Sequence, residues 1–170
     1  MDVQIRRRNS NRLSGYNYVQ AGAYFITLCS YRRKSIFGAV SNGEMVLSTG
    51  GEIVQAEWLR TAALRKYLEL DIFMVMPNHF HALVLFNQAW NGDVEPMEQT
   101  RRQRGDLGFL VAGFKAAVTK RIHALSLFPG QPIWQRNYYD HIIRGEEDYE
   151  KIREYIFNNP LKWELDRFYE

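Results

Sequence analysis

Hydrophobic and polar positions along the chain change period several times, alternating between the two-residue repeat of a strand and the three- to four-residue repeat of a helix. The run AYFITLC at 23–29, rich in aromatic and β-branched residues, predicts a first strand, and a shorter one falls near 43–47. After Gly50-Gly51, the positions Ile53, Ala56, Glu57, Leu59, Leu64 and Leu68 follow helical spacing and predict a helix over about 52–67 with one apolar face. Residues 70–76 read as a strand that Pro77 terminates, and 79–86 as its antiparallel hairpin partner across a tight Pro-Asn turn. Residues 87–105, with an Asn-Gly pair, a proline and several arginines, read as a mobile loop. Leu107, Leu110, Val111, Phe114, Val118, Ile122 and Leu125 then mark an amphipathic helix with Lys115 and Arg121 on its flanks, closed by Pro129-Gly130. A last helix over 146–157 puts Tyr149, Ile152 and Ile156 on one stripe, and Pro160 restricts Asn159 so that the helix ends there. With a basic arm at 1–20 and no internal repeat, the pattern is that of one α+β domain spanning 1–170.

Composition agrees with a single core: 170 residues, 46% hydrophobic and 14% aromatic, suffice for one domain and not for two. Charge adds more. The net +3 conceals three basic clusters, Arg6-Arg7-Arg8, Arg32-Arg33-Lys34 and Arg101-Arg102-Gln103-Arg104, which can meet phosphate, although such runs are usually solvated faces. The lone Cys29 excludes an internal disulfide and a cysteine-rich zinc site, and fits a reducing cytoplasm. No apolar stretch reaches the roughly 18 residues of a membrane span, and the Arg-rich first residues lack a signal-peptide core. A soluble, cytoplasmic protein is expected.

The candidate chemistry begins with MPNHFHALV at 76–84, which carries two of the four histidines. Alternation along a strand puts His79 and His81 on one face and Phe80, Ala82 and Val84 on the other, with the imidazoles about 7 Å apart at their Cα atoms. Such a pair on an open face can hold one divalent ion, whereas an H-x-H alone is more often two ordinary strand residues. Tyr155 lies at the edge of the last helix's buried stripe, with Asn159 one turn on, where its amide oxygen can supply a third ligand. By spacing alone, Tyr155 reads as a core-edge aromatic more readily than as a nucleophile. His123 and His141 are given no metal role.

Taken in order, GAYFIT at 22–27, MPNHFH at 76–81, Phe114-Lys115, WQRNYYDH at 134–141 and YIFNNP at 155–160 resemble the HUH single-strand transposases with one catalytic tyrosine, most closely the REP-associated tyrosine transposases. That resemblance implies an antiparallel sheet flanked by helices in a ferredoxin-like, RRM-like arrangement. It implies Tyr155 as the nucleophile and His79 and His81 as ligands of Mg²⁺ or Mn²⁺. Several related transposases carry glutamine as the third ligand where this chain has the shorter Asn159, which would reach the ion directly or through water. It further implies a hairpin with single-stranded DNA as partner, nicked and rejoined through a 5′-phosphotyrosine, by a monomer or homodimer. Arg6, Arg7, Arg8, Arg32, Arg33, Lys34, Arg101, Arg102, Arg104, Lys115 and Arg136 are the expected DNA contacts. A nuclease that activates water with the same histidines, and a non-catalytic nucleic-acid-binding module, are the competing readings.

Overall fold

A computed structural model describes residues 21–87 and 107–169; the arm at 1–20 and nearly all of the expected loop at 87–105 lie outside the described residues, and with them Arg6, Arg7, Arg8, Arg101, Arg102 and Arg104. The elements follow as β1 (Gly22–Cys29), β2 (Gly38–Ser41), β3 (Glu44–Leu47), α1 (Thr49–Ala63), β4 (Leu68–Val75), β5 (His79–Phe86), α2 (Leu107–Ala124), β6 (Tyr139–Ile142) and α3 (Glu146–Asn158). An antiparallel sheet runs β4-β5-β1-β6, so the fold is the expected α+β arrangement of a sheet flanked by helices. β2 and β3 form a separate hairpin, turned by Asn42 and Gly43 at positive φ, the conformation a two-residue hairpin loop requires.

Residue parity decides what each face of the sheet carries. In register, Leu28 faces Phe80, Ile26 faces Ala82 and Tyr24 faces Val84; this face packs on Ile53, Val54 and Trp58 of α1 and Phe114, Val118 and Ile122 of α2. Phe80 meets Trp58 and Phe114 at ring distances of 5.0 and 5.3 Å, so it belongs to the core as expected. The opposite face carries Cys29 beside His79 and Thr27 beside His81. It is covered by α3 and by the segment after it, where Trp163 and Phe168 join Cys29 and Met76 in a second, smaller cluster.

Two features of the sequence reading need correction. α1 begins at Thr49 and ends at Ala63, because Ser48 caps it by accepting a hydrogen bond from the Gly51 amide, and Leu68 already opens β4. Gly51 seats that first turn tightly, since a Cβ there would collide with the Phe37 carbonyl. Its buried stripe is therefore Ile53, Val54, Glu57, Trp58 and Thr61, and Leu59, assigned to the apolar face, is 52% exposed. Secondly, the histidine face is not open: His79 and His81 are both 0% exposed, because the segment after α3 folds over them.

Candidate active site

Placement of the site starts from a β-bulge. Pairing of β4 with β5 slips between Leu70 and Phe73, and Asp71 in that interval takes hydrogen bonds from the Tyr149 hydroxyl (2.6 Å) and from Arg153 (2.8 Å). Tyr149 and Arg153 are one turn apart on α3, so a single carboxylate grips the helix at two points. Ile156, fully buried, anchors the next turn. Tyr155, at 39% exposure, is thereby held over β5 with its ring 5.2 Å from that of His81 and its hydroxyl 3.3 Å from His81 Nε2.

Each imidazole is oriented by a neighbour. The Asn78 side chain donates from Nδ2 to the Phe168 carbonyl (2.7 Å), which turns its Oδ1 toward His79 Nδ1 at 2.9 Å. His79 Nδ1–H must then be the donor, which leaves the lone pair on Nε2. His81 Nδ1 lies 2.8 Å from the Thr27 hydroxyl, and its Nε2 points toward Tyr155. Burial pushes the His79 pKa down to about 4, against the attraction of the Asp166 carboxylate. Burial also holds His81 well below its ordinary value, helped by the charge of its neighbour His79. Both rings are neutral at pH 7, the state in which imidazole binds a metal.

Asp166 completes the cluster, and sequence reasoning missed it. Its Oδ2 accepts hydrogen bonds from the Tyr155 hydroxyl (3.0 Å) and from Asn159 Nδ2 (2.6 Å), while Oδ1 accepts from the Phe168 amide (2.7 Å). Ligand atoms of His79, His81 and Asp166 all lie within 4.8 Å of one another. Asn159 is 2% exposed, and with its Nδ2 turned to Asp166 its Oδ1 is left buried; neither that oxygen nor His79 Nε2 has a hydrogen-bond partner among the described residues. Unpartnered lone pairs and a carboxylate in one buried pocket suit a divalent cation, so this donor set fits such an ion. The environment also keeps Tyr155 protonated, since burial, then the Asp166 charge and the hydrogen bond to it, raise the phenol well above its usual pKa of 10.

The remaining expected residues divide. Arg33 stands beside the site, its guanidinium 5.3 Å over the Phe168 ring, and Arg32 and Arg33 both adopt left-handed backbone (φ 55° and 53°) in a short 3-10 turn. Lys34 follows on the surface, with its carbonyl tied to the Ser30 hydroxyl. Lys115 turns inward, donating to the carbonyls of Gln135 (2.8 Å) and Asn137 (3.1 Å), and so fastens the WQRN stretch to α2. Arg136 is exposed. His123 and His141 lie away from the cluster, engaged with the Gln131 carbonyl and the Asp148 carboxylate.

No family model matches the chain. An uncharacterized protein of Haemophilus influenzae is 38% identical over 173 residues, covering 97% of this chain and 94% of that protein. A REP-associated tyrosine transposase of Escherichia coli K12 is 24% identical over 145 residues, covering 85% of this chain and 70% of the relative. Among solved structures, a REP-associated tyrosine transposase bound to a REP hairpin has the same fold, with a TM-score of 0.59 at 21% identity over 89% of this chain and 74% of that one.

Proposed function

We propose that this chain is a REP-associated tyrosine transposase, like the relative it resembles in sequence and the solved structure whose fold it shares, and from that premise that it nicks single-stranded hairpin DNA and transfers the cut strand through Tyr155. The observation that carries this reading is the Tyr155 hydroxyl lying 3.3 Å from His81 Nε2 and bonded to Asp166, directly beside the lone-pair cluster of His79 and Asn159. Hairpin DNA as substrate is taken from the relative that was solved with a REP hairpin.

His79, His81 and Asp166, with Asn159 adjoining, would hold Mg²⁺ or Mn²⁺, which when bound would polarise a non-bridging oxygen of the scissile phosphate. The protein's own residues do the rest. A phenol kept protonated at neutral pH must lose its proton as it attacks, and the hydrogen bond to Asp166 gives that proton a path. Tyr155 Oη would bond to phosphorus while the P–O3′ bond breaks, releasing a 3′-hydroxyl and leaving a 5′-phosphotyrosine. Bond energy is retained in that ester, so a second 3′-hydroxyl can reverse the step and join the strands. Trp163 and Phe168 lie tilted against the His79 ring at 5.8 and 4.7 Å, and these two side chains have to give way, with Asp166 kept in place, before a phosphate can reach the histidines. Arg33, Lys34 and Arg136, together with Arg32 and the arginines of 6–8 and 101–104, are proposed to meet flanking phosphates.

The test is a denaturing gel after incubation of a labelled hairpin carrying a single-stranded tail with the protein and Mn²⁺. Wild type should yield a covalent protein–DNA adduct and Tyr155→Phe none, with DNA affinity retained. Adduct formation by Tyr155→Phe would transfer the role to Tyr138 or Tyr139. Cleavage without an adduct would favour a nuclease that uses water, and binding without cleavage a non-catalytic module.

A further inference from the structure

A second feature lies on the other side of the sheet, where α1 and α2 pack against each other. Glu57 reaches Arg121 and Arg65 approaches Gly113, so the two helices run antiparallel and enclose a groove of about 450 Å³ between their outer surfaces. Its rim carries Arg60, Arg65, Lys120 and Arg121, and Glu57 is the only carboxylate among the lining residues.

Most of these cations are held rather than left to move in solvent. Arg121 Nη1 bonds Glu57 Oε1 at 2.8 Å, and Arg60 Nη1 lies 3.7 Å from the same oxygen, so one buried carboxylate fixes two guanidinium groups at the rim. Arg65 Nη1 donates to the Thr61 carbonyl at 3.2 Å, and its Nη2 lies 3.4 Å from where a Cβ at position 113 would stand. That guanidinium thus lies across the groove, close to the α2 backbone at Gly113. Glu57 neutralises one charge, and an uncompensated positive strip remains. From Glu57 to the end of α1 at Ala63 the helix rises about 9 Å, and Arg65 follows just beyond, a length that spans two or three successive phosphates of a nucleic acid backbone. Ordering cations in advance reduces the entropy lost when they bind a polyanion.

We propose that the groove between α1 and α2 is a phosphate-backbone site for nucleic acid, separated from the catalytic face by the thickness of the sheet and helix layers. It adds affinity without taking part in cleavage, and without reading bases, because its donors are guanidinium and ammonium groups that meet phosphate oxygens. A DNA whose scissile link lies at Tyr155 would have to wrap the domain to reach it, so the groove takes a remote part of the same molecule or a second one.

The experiment measures binding, and so does not depend on whether Tyr155 is the nucleophile. Affinity of the full chain for a labelled hairpin with a long single-stranded tail is measured by fluorescence anisotropy at several salt concentrations. Arg65→Glu with Lys120→Glu should lower the log–log salt slope by about 2, near one unit per lost phosphate contact, and weaken binding at every salt concentration. Arg65→Gln with Lys120→Gln, gentler on the fold, should shift it the same way. Arg144→Glu with Lys151→Glu makes the same change in net charge outside the groove and should leave the slope near wild type. A wild-type slope in both groove variants, or an equal loss in the control, would overturn the proposal. If the groove variants lose affinity while wild type forms no covalent adduct, the groove stands and the catalytic reading falls.

Discussion

The choice of Asp166 as partner makes the tyrosine's chemistry depend on a residue with no sequence signature. Spacing placed His79 and His81 on one strand face and Asn159 one helical turn after Tyr155, but the nucleophile role of Tyr155 and the choice of the histidines as metal ligands came from the family resemblance. Asp166 lies in a stretch with neither period, and only the fold brings it within 3.0 Å of Tyr155. Its removal has a predictable signature. Asp166→Asn keeps the side chain's shape but takes away both the proton acceptor and a charged ligand, so adduct formation should slow by about 10²-fold or more while hairpin affinity stays near wild type. Single-turnover adduct formation at saturating DNA checks this, and an unchanged rate would remove Asp166 from the reaction.

At the scale of elements, the strands that carry the site were the easiest to read. β5 has the bounds its alternation predicts, and β4 follows from the Pro77 boundary, because a turn residue and a period of two leave little freedom. β2 and β6, four residues each, were missed; a pattern needs more residues than that to rise above its surroundings. The segment after α3 was missed too, and it matters most for access. It docks through Trp163, Phe168 and the bond from Asn78 to the Phe168 carbonyl, and Leu161 lies so close to Gly43 that a Cβ there would stand 2.7 Å from its Cδ2. Phe168→Ala keeps Asp166 and loosens the cover. A loss of only about 1.4 kcal/mol, well below the 3–5 typical of a buried aromatic, would raise the open fraction roughly tenfold. Adduct formation should then be faster and proteolysis of residues 161–169 easier, with little change in the main unfolding transition, since Phe168 lies outside the α1–α2 core. A slower adduct reaction with unchanged proteolysis would mean that the segment supports the site without covering it.

For the whole molecule, two neutral imidazoles sealed under that segment couple stability to pH. An open pair would have titrated near pH 6.5 in both folded and unfolded chains and contributed nothing. Here the folded His79 takes its proton only near pH 4, and His81 well below its ordinary value, because burial penalises the charged ring. As pH falls below 6.5 the unfolded chain gains protons that the folded chain refuses, so stability declines, by up to about 1.4 kcal/mol per pH unit for each histidine. For His79 alone the loss down to pH 4 is roughly 3 kcal/mol, of the same order as the total stability of many domains. Urea unfolding with a chelator present should show this decline between pH 6.5 and 4.5, and His79→Asn with His81→Asn should flatten it even if the variant is less stable at pH 7. Added Mn²⁺ should stabilise wild type and not the double variant, with an effect that changes little between pH 6.5 and 4.5, because the folded imidazoles, held well below their ordinary pKa, are already neutral and ready to bind there. A wild-type curve that is flat in pH and indifferent to Mn²⁺ would show the rings to be solvated in solution, and the buried pocket built from them would no longer stand.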